Sequence, residues 1–334
     1  MTRAEIPGLE APDADLERGL RLRLDQVERY LETTVQAEYD LLTDASAYLL
    51  QAGGKRFRPM LVLLSGYFGE PTDPRLIPGA AAIELTHVAT LYHDDVIDEA
   101  EYRHGVPSVN AKWSNSVAIV SGDFLFARAA DIASELGTEV TRLLARTIAT
   151  VCDGQIRDVT NAGRLDQTLD SYMETIRRKT SALMATSCRL GGMLSDAHPE
   201  HVEVLNRFGE ALGLGFQLSD DIMDVVSSER ELGKEPAVDL RLGVYTLPVL
   251  HAIHHGSRRD ELSELLSARP LEDAALERII EIVRSDGSLD HARAAVTLEV
   301  RKAKRYAAML PEGVARTALD NLADFIAARC GAPV

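Results

Sequence analysis

Apolar residues recur at helical spacing over long stretches of this chain, and the alternating strand signal is nearly absent. No proline falls between Pro107 and Pro199, nor between Pro199 and Pro236, so long helices can run through both stretches. Val117, Val120 and Phe124, followed by Ile132 and Leu136, carry the period, and the apolar helix from Ser116 to Ala130 reads as either core or a subunit interface. Loops are marked at Pro71 to Pro78, Gly105 to Pro107, Asn161 to Gly163 and Gly233 to Pro236. No solenoid repeat or low-complexity linker divides the chain. The pattern predicts one all-α domain over residues 1–334, a bundle of ten or more helices around a central cavity, with residues 1–14 flexible.

Composition narrows the class. Apolar residues make up 46% and charged residues 26%, the balance of a soluble globular protein. Aromatics are only 5%, so the core must be built from Leu, Val, Ile and Ala. A net charge of −16 argues against a nucleic-acid partner, which would need clustered Lys and Arg. Cys152, Cys188 and Cys330 stand alone, as in a cytoplasmic protein with reduced thiols, and not as a disulfide frame or zinc site. The start of the chain lacks the basic and apolar regions of a signal peptide, and apolar runs such as Met60 to Ser65 are too short for a transmembrane segment.

The chemistry concentrates in two similar segments, Asp94-Asp95-Val96-Ile97-Asp98 and Asp220-Asp221-Ile222-Met223-Asp224. In each, the outer carboxylates at i and i+4 share one helix face. Such crowding is unfavourable without a cation, and an oxygen-only set suits Mg²⁺. At about 6% Asp, a given window matches this pattern roughly once in several thousand, so two chance matches are a poor explanation. Both segments also follow apolar stretches, Ile83 to Tyr92 and Leu212 to Leu218, where a solvated acidic face is not expected.

Basic residues supply what an acidic chain needs to hold an anion. Gly53-Gly54-Lys55-Arg56-Phe57-Arg58-Pro59 sets Lys55 and Arg58 three apart after a flexible Gly pair, in the manner of a diphosphate clamp. A helix start with surface cations would look the same. His87 lies seven residues before Asp94, two turns along one face; a core histidine is the competing reading. Lys179-Thr180 and Gly233-Lys234 are weaker cues taken singly.

Together these segments resemble the trans-polyprenyl diphosphate synthases. GGKRFRP at Gly53, HDDVIDEA at His93, RHGVPS at Arg103, GDFLFA at Gly122, KTSAL at Lys179, FQLSDDIMD at Phe216, LGK at Leu232 and TLP at Thr246 occur in that family's order, from about Leu41 to Arg329. The resemblance implies that Lys55, Arg58, His87 and His104 bind isopentenyl diphosphate, and that Arg103, Lys179, Thr180, Gln217 and Lys234 contact the allylic diphosphate. It implies that Asp94, Asp98 and, across the cavity, Asp220 ligate about three Mg²⁺, while Asp95, Asp221 and Asp224 support the metals or their waters. All six carboxylates and Lys179 would then take part in catalysis: the charged groups neutralise the departing diphosphate, the allylic C–O bond ionises, and the isopentenyl double bond attacks. The resemblance further implies a homodimer.

Two positions depart from the family's pattern. Its Arg-Arg pair is Arg103-His104 here, so one isopentenyl diphosphate contact is expected to be weakened or pH-dependent, in the latter case with the His104 pKa raised beside the anion. Its Gly-Lys before TLP is Gly243-Val244, with Arg241 nearby as a candidate replacement. Small residues, Ala89 and Thr90, stand where short-chain enzymes carry a bulky aromatic, which favours hexaprenyl to decaprenyl products. The alternatives are a farnesyl or geranylgeranyl diphosphate synthase, a class I terpene cyclase and a non-catalytic synthase subunit. Two intact Asp segments with Lys55, Arg58 and His87 argue against the last two.

Overall fold

The long proline-free segments do form helices. The structure, a computed structural model, describes residues 13–226, 238–268 and 270–333. Among them all regular structure is helical apart from one two-stranded hairpin, as the apolar period predicts. Residues cluster into two compact units: Met1–Ala149, Leu183–Gly209 and Arg305–Leu322 form the first, and Thr150–Ala182, Glu210–Lys304 and Ala323–Val334 the second.

The chain opens with α1 (Ala14–Thr34), whose N-cap Asp13 accepts from the backbone N–H of Asp15 at 2.7 Å. Then come α2 (Asp40–Gln51), α3 (Phe57–Ser65) and α4 (Leu76–Ile97). Pro78 sits in the first turn of α4, where a missing N–H costs nothing. Helix α4 is buried on nearly every face and packs on α1 and α3, so it forms the core of the first unit. Each fully buried leucine there, such as Leu76 or Leu85, contributes about 2 kcal/mol. The buried Tyr92 ties α4 to α2 by donating its hydroxyl to the Ala45 carbonyl at 2.6 Å.

After α4 the hairpin β1 (Tyr102–Arg103) and β2 (Val106–Pro107) turns through His104 and Gly105, both at positive φ (52° and 77°), as a two-residue type I′ turn requires. Helices α5 (Val109–Lys112) and α6 (Asn115–Glu135) follow, and α6 is the main packing partner of α4. The buried stripe of α6 is Ala118, Ser121, Gly122, Leu125 and Ala129, whereas Ile119 and Val120 are 43% and 57% exposed. Small residues let α4 come close: a Cβ on Gly122 would lie 2.5 Å from His93 Nε2.

The chain continues with α7 (Thr138–Asn161), α8 (Leu169–Ile176), a π-helical turn (Arg177–Ser181), α9 (Ala182–Leu194) and α10 (Pro199–Val226). The remaining helices are α11 (Val238–Leu242), α12 (Leu247–His255), α13 (Arg259–Ser267), α14 (Asp273–Ser285), α15 (Ser288–Ala307) and α16 (Val314–Arg329). In the second unit α12 packs on α8, α13 and α14. The π turn is pinned between two glycines. A Cβ on Gly154 would lie 2.4 Å from Lys179 N, and one on Gly213 would lie 2.7 Å from Ser181 Cα. Among the described residues no helix is long and apolar enough to cross a membrane.

Candidate active site

In the first unit, one Asp segment ends α4. The Ala100 N–H bonds the Asp95 carbonyl at 2.9 Å, a Schellman closure, with Glu99 in the left-handed region at φ 50°. Glycine would hold that position without strain; glutamate costs about 1 kcal/mol. Asp94 and Asp98 therefore lie one turn apart at the negative end of a helix dipole, which adds to their mutual repulsion and favours a cation beside them.

The middle carboxylate has another task. Asp95 is fully buried and receives Arg103 through two N–H donors, one of them Nε at 2.7 Å. Burial raises the Asp95 pKa and Arg103 opposes it. Its Oδ2 is buried without a hydrogen-bond partner among the described residues, an unmet acceptor in this carboxylate group.

Around this end of the unit the basic residues gather. Arg58 Nη1 donates to His87 Nε2 at 3.0 Å; since arginine can only donate, His87 is the Nδ1–H tautomer. Dehydration, then Arg58, His104, Arg103 and Arg56, hold the His87 pKa well below its ordinary value. His87 thus orients Arg58 as a neutral acceptor and is not a second cation. His104 is also lowered in the ligand-free chain, first by dehydration and then by Arg103, the reverse of the rise expected beside an anion. Lys55 is exposed at the head of the same loop.

Arg56 was not marked by the sequence pattern and proves to be the structural cation of that loop. With a left-handed backbone (φ 45°), it donates to Glu28 at 2.5 and 3.2 Å, to Glu84 at 2.8 Å and to the Leu50 carbonyl at 2.6 Å. Its side chain is 9% exposed and that of Glu84 5%. It fixes the start of α3, and hence Arg58, to α1, α2 and α4.

In the second unit, Asp220, Asp221 and Asp224 lie on α10. Asp221 is buried, its pKa pushed up to about 8 by desolvation against the lowering effect of the Tyr172 hydroxyl. Tyr172 donates to its Oδ2, and Gln217 Nε2 to its Oδ1 at 2.8 Å; Thr180 in turn donates to Gln217 Oε1 at 2.8 Å. One hydrogen-bonded chain therefore fixes Thr180, Gln217 and Asp221. Lys179, on the π turn, donates to Asp158 Oδ2 at 2.6 Å. Such turns interrupt the helical ladder and often mark functional sites. Arg329 donates to Asp220 Oδ1 at 2.5 Å, and Arg284 caps the Val225 and Val226 carbonyls at 2.8 and 2.9 Å.

The structure thus groups Arg58, His87, Arg103 and His104 with the Asp94 segment in the first unit. It groups Lys179 with Asp158, and Thr180 and Gln217 with Asp221, in the second. Lys234 lies outside the described residues. Arg241, considered as a replacement cation, donates to Asp273 at 2.6 Å and to the Leu271 carbonyl at 3.3 Å. Ala89 is buried in α4, and the Thr90 hydroxyl bonds the His87 carbonyl at 2.7 Å. Tyr172, Asp158 and Arg329 escaped the sequence pattern: each is an ordinary residue in its segment, and only tertiary placement gives it a partner.

The donor set fits a hard divalent cation. It is all carboxylate, two outer groups per segment, with an unmet buried oxygen at Asp95. Among the described residues no three His, Cys, Asp or Glu converge as a ready-made metal cage. Mg²⁺ needs none, because it binds through one or two carboxylates with waters and substrate phosphates.

Comparison with known proteins agrees. The polyprenyl synthetase family model matches residues 39–283. A nonaprenyl diphosphate synthase of Mycobacterium tuberculosis (strain ATCC 25618 / H37Rv) is 37% identical over 328 residues, covering 98% of each chain. The crystal structure of a decaprenyl diphosphate synthase from Rhodobacter capsulatus superposes with a TM-score of 0.88 at 32% identity, covering 94% of this chain and 98% of that one. That of a geranylgeranyl pyrophosphate synthase from Corynebacterium glutamicum, complexed with calcium and isoprenyl diphosphate, gives 0.86 at 38% identity, covering 96% and 99%. With both Asp segments, their basic partners and an all-α fold in place, this chain belongs to the polyprenyl synthetase family of prenyl diphosphate synthases.

Proposed function

We propose that the chain is a Mg²⁺-dependent trans-prenyltransferase that adds isopentenyl diphosphate repeatedly to an allylic diphosphate, giving hexaprenyl to decaprenyl products. The observation that carries the reading is the cluster of Arg58, His87, Arg103 and His104 beside the carboxylate-bearing end of α4. Dehydration first, and the nearby Arg58 and Arg103 guanidinium groups after it, disfavour protonation of His87, and those guanidinium groups are what a bound diphosphate would satisfy.

Isopentenyl diphosphate would lie on Lys55 and Arg58, with His87 setting the guanidinium and His104 completing the contact. The allylic diphosphate would meet Arg103, Lys179, Thr180, Gln217 and Lys234. Asp94, Asp98 and Asp220 would hold the metal, in about three ions, and Asp95, Asp221 and Asp224 would steady these groups. Bound there, Mg²⁺ would neutralise the charge growing on the leaving diphosphate. Arg103 and Lys179 add to that neutralisation, and the Thr180–Gln217–Asp221–Tyr172 chain keeps its donors in place. Among the described residues no side chain stands out as the final base, and the released pyrophosphate would take the proton. The exposed Ile119 and Val120 on α6 suit a second copy of the chain, giving a homodimer.

A product stopping at geranylgeranyl diphosphate is the second reading, favoured by the 38% identity to the Corynebacterium glutamicum enzyme. Incubation with isopentenyl diphosphate, farnesyl diphosphate and Mg²⁺, with mass analysis of the dephosphorylated products, separates the two. In the same assay Asp94→Ala should lower turnover by about two orders of magnitude or more while the circular dichroism stays helical. Near-parental turnover in that variant would overturn the proposal.

A further inference from the structure

One outer carboxylate of the second Asp segment, Asp220, already has a cation beside it. Arg329 Nη2 donates to Asp220 Oδ1 at 2.5 Å, and its guanidinium lies 5.0 Å from the ring centre of Phe216, one turn earlier on α10. Arg329 is the last residue of α16, and the segment after it is strapped down. Arg293 donates to the Cys330 carbonyl at 3.3 Å and the Thr297 hydroxyl to the Pro333 carbonyl at 2.8 Å, while the Ala332 N–H bonds the Ala327 carbonyl at 3.0 Å. Cys330 and Ala332 are buried. The guanidinium is therefore delivered by packing, and not by a loose tail.

We propose that Arg329 holds the place of the metal ion at Asp220 and that cation loading displaces it, so that the end of α16 is a latch on the second Asp segment. A guanidinium on Asp220 Oδ1 supplies the charge that the carboxylate lacks and repels an incoming cation, so both cannot hold that oxygen at full strength. The pair is breakable: Arg329 is 24% exposed and Asp220 38%, so each finds water when they part. This inference rests on the reading of Asp220 as a metal ligand.

Manganese(II) alone, titrated into the full chain with free ion followed by electron paramagnetic resonance, tests it without turnover. Arg329→Gln should bind Mn²⁺ about threefold to tenfold more tightly than the parent, and Arg329→Lys should stay near the parent. In an Asp220→Asn background the effect of Arg329→Gln should vanish. Unchanged or weaker binding by Arg329→Gln, with Asp220→Asn clearly weakened, overturns the latch alone. Unchanged binding by Asp220→Asn overturns the ligand reading beneath it.

Discussion

Among single residues, His104 makes the sharpest claim about the chemistry. In the ligand-free chain its pKa is lowered by dehydration and Arg103, so the neutral ring dominates at neutral pH. A bound diphosphate favours the imidazolium, so binding takes up a proton. Affinity for isopentenyl diphosphate should then improve as pH falls from about 8 towards the depressed value, and level off below it. Steady-state kinetics should show KM falling over that range, and His104→Arg should give a low KM that no longer varies with pH. Matching profiles for parent and variant would remove His104 from the site. The candidate residue types stood out in the sequence because two Asp segments are a poor match to chance, whereas the Lys55–Arg58 spacing alone would equally suit a helix start with surface cations. Their partners did not. Arg103 on Asp95, Lys179 on Asp158 and Tyr172 on Asp221 are choices made by tertiary packing, which one-dimensional spacing does not encode.

At the scale of elements, α6 shows where periodicity stops being informative. Val117, Val120 and Phe124 announced a helix, and the helix is there. Yet the face turned to α4 carries Ala118, Ser121, Gly122 and Leu125, because close packing rewards small size over hydrophobicity. A stripe of large apolar residues therefore fixes the existence of a helix more securely than the face it buries. The start of α3 depends on a different force. Arg56 is nearly buried between Glu28 and Glu84, so its removal leaves Glu84 charged and unpaired in the interior. Arg56→Ala should cost about 3 kcal/mol in urea unfolding, and adding Glu84→Gln should restore part of it. A single-variant loss below about 0.5 kcal/mol would mean that the clamp contributes only as an exposed pair does.

For the molecule as a whole, the exposed expectation is product length. On the proposed reading the diphosphate head would stay at the carboxylates, so the growing chain would lengthen away from them, and one helical turn of about 5.4 Å is comparable to an isoprene unit. Ala89 is buried in α4 a turn before the Asp segment, and on that reading bulk there would stop the growth. Ala89→Phe should shift products towards farnesyl or geranylgeranyl diphosphate while the first condensation is retained. Unchanged long products would clear Ala89 of this role, and a parent that already stops at geranylgeranyl diphosphate would refute the long-chain reading. The cationic cluster around Arg58 has one more consequence, for how substrate arrives. The chain carries −16, so an approaching diphosphate meets net repulsion at long range and attraction only near that cluster. The Debye length shrinks from about 30 Å at 0.01 M ionic strength to about 8 Å at 0.15 M. Added salt therefore trims the distant repulsion before it weakens the contacts at Arg58, so encounter quickens with moderate ionic strength where most enzymes of anionic substrates slow.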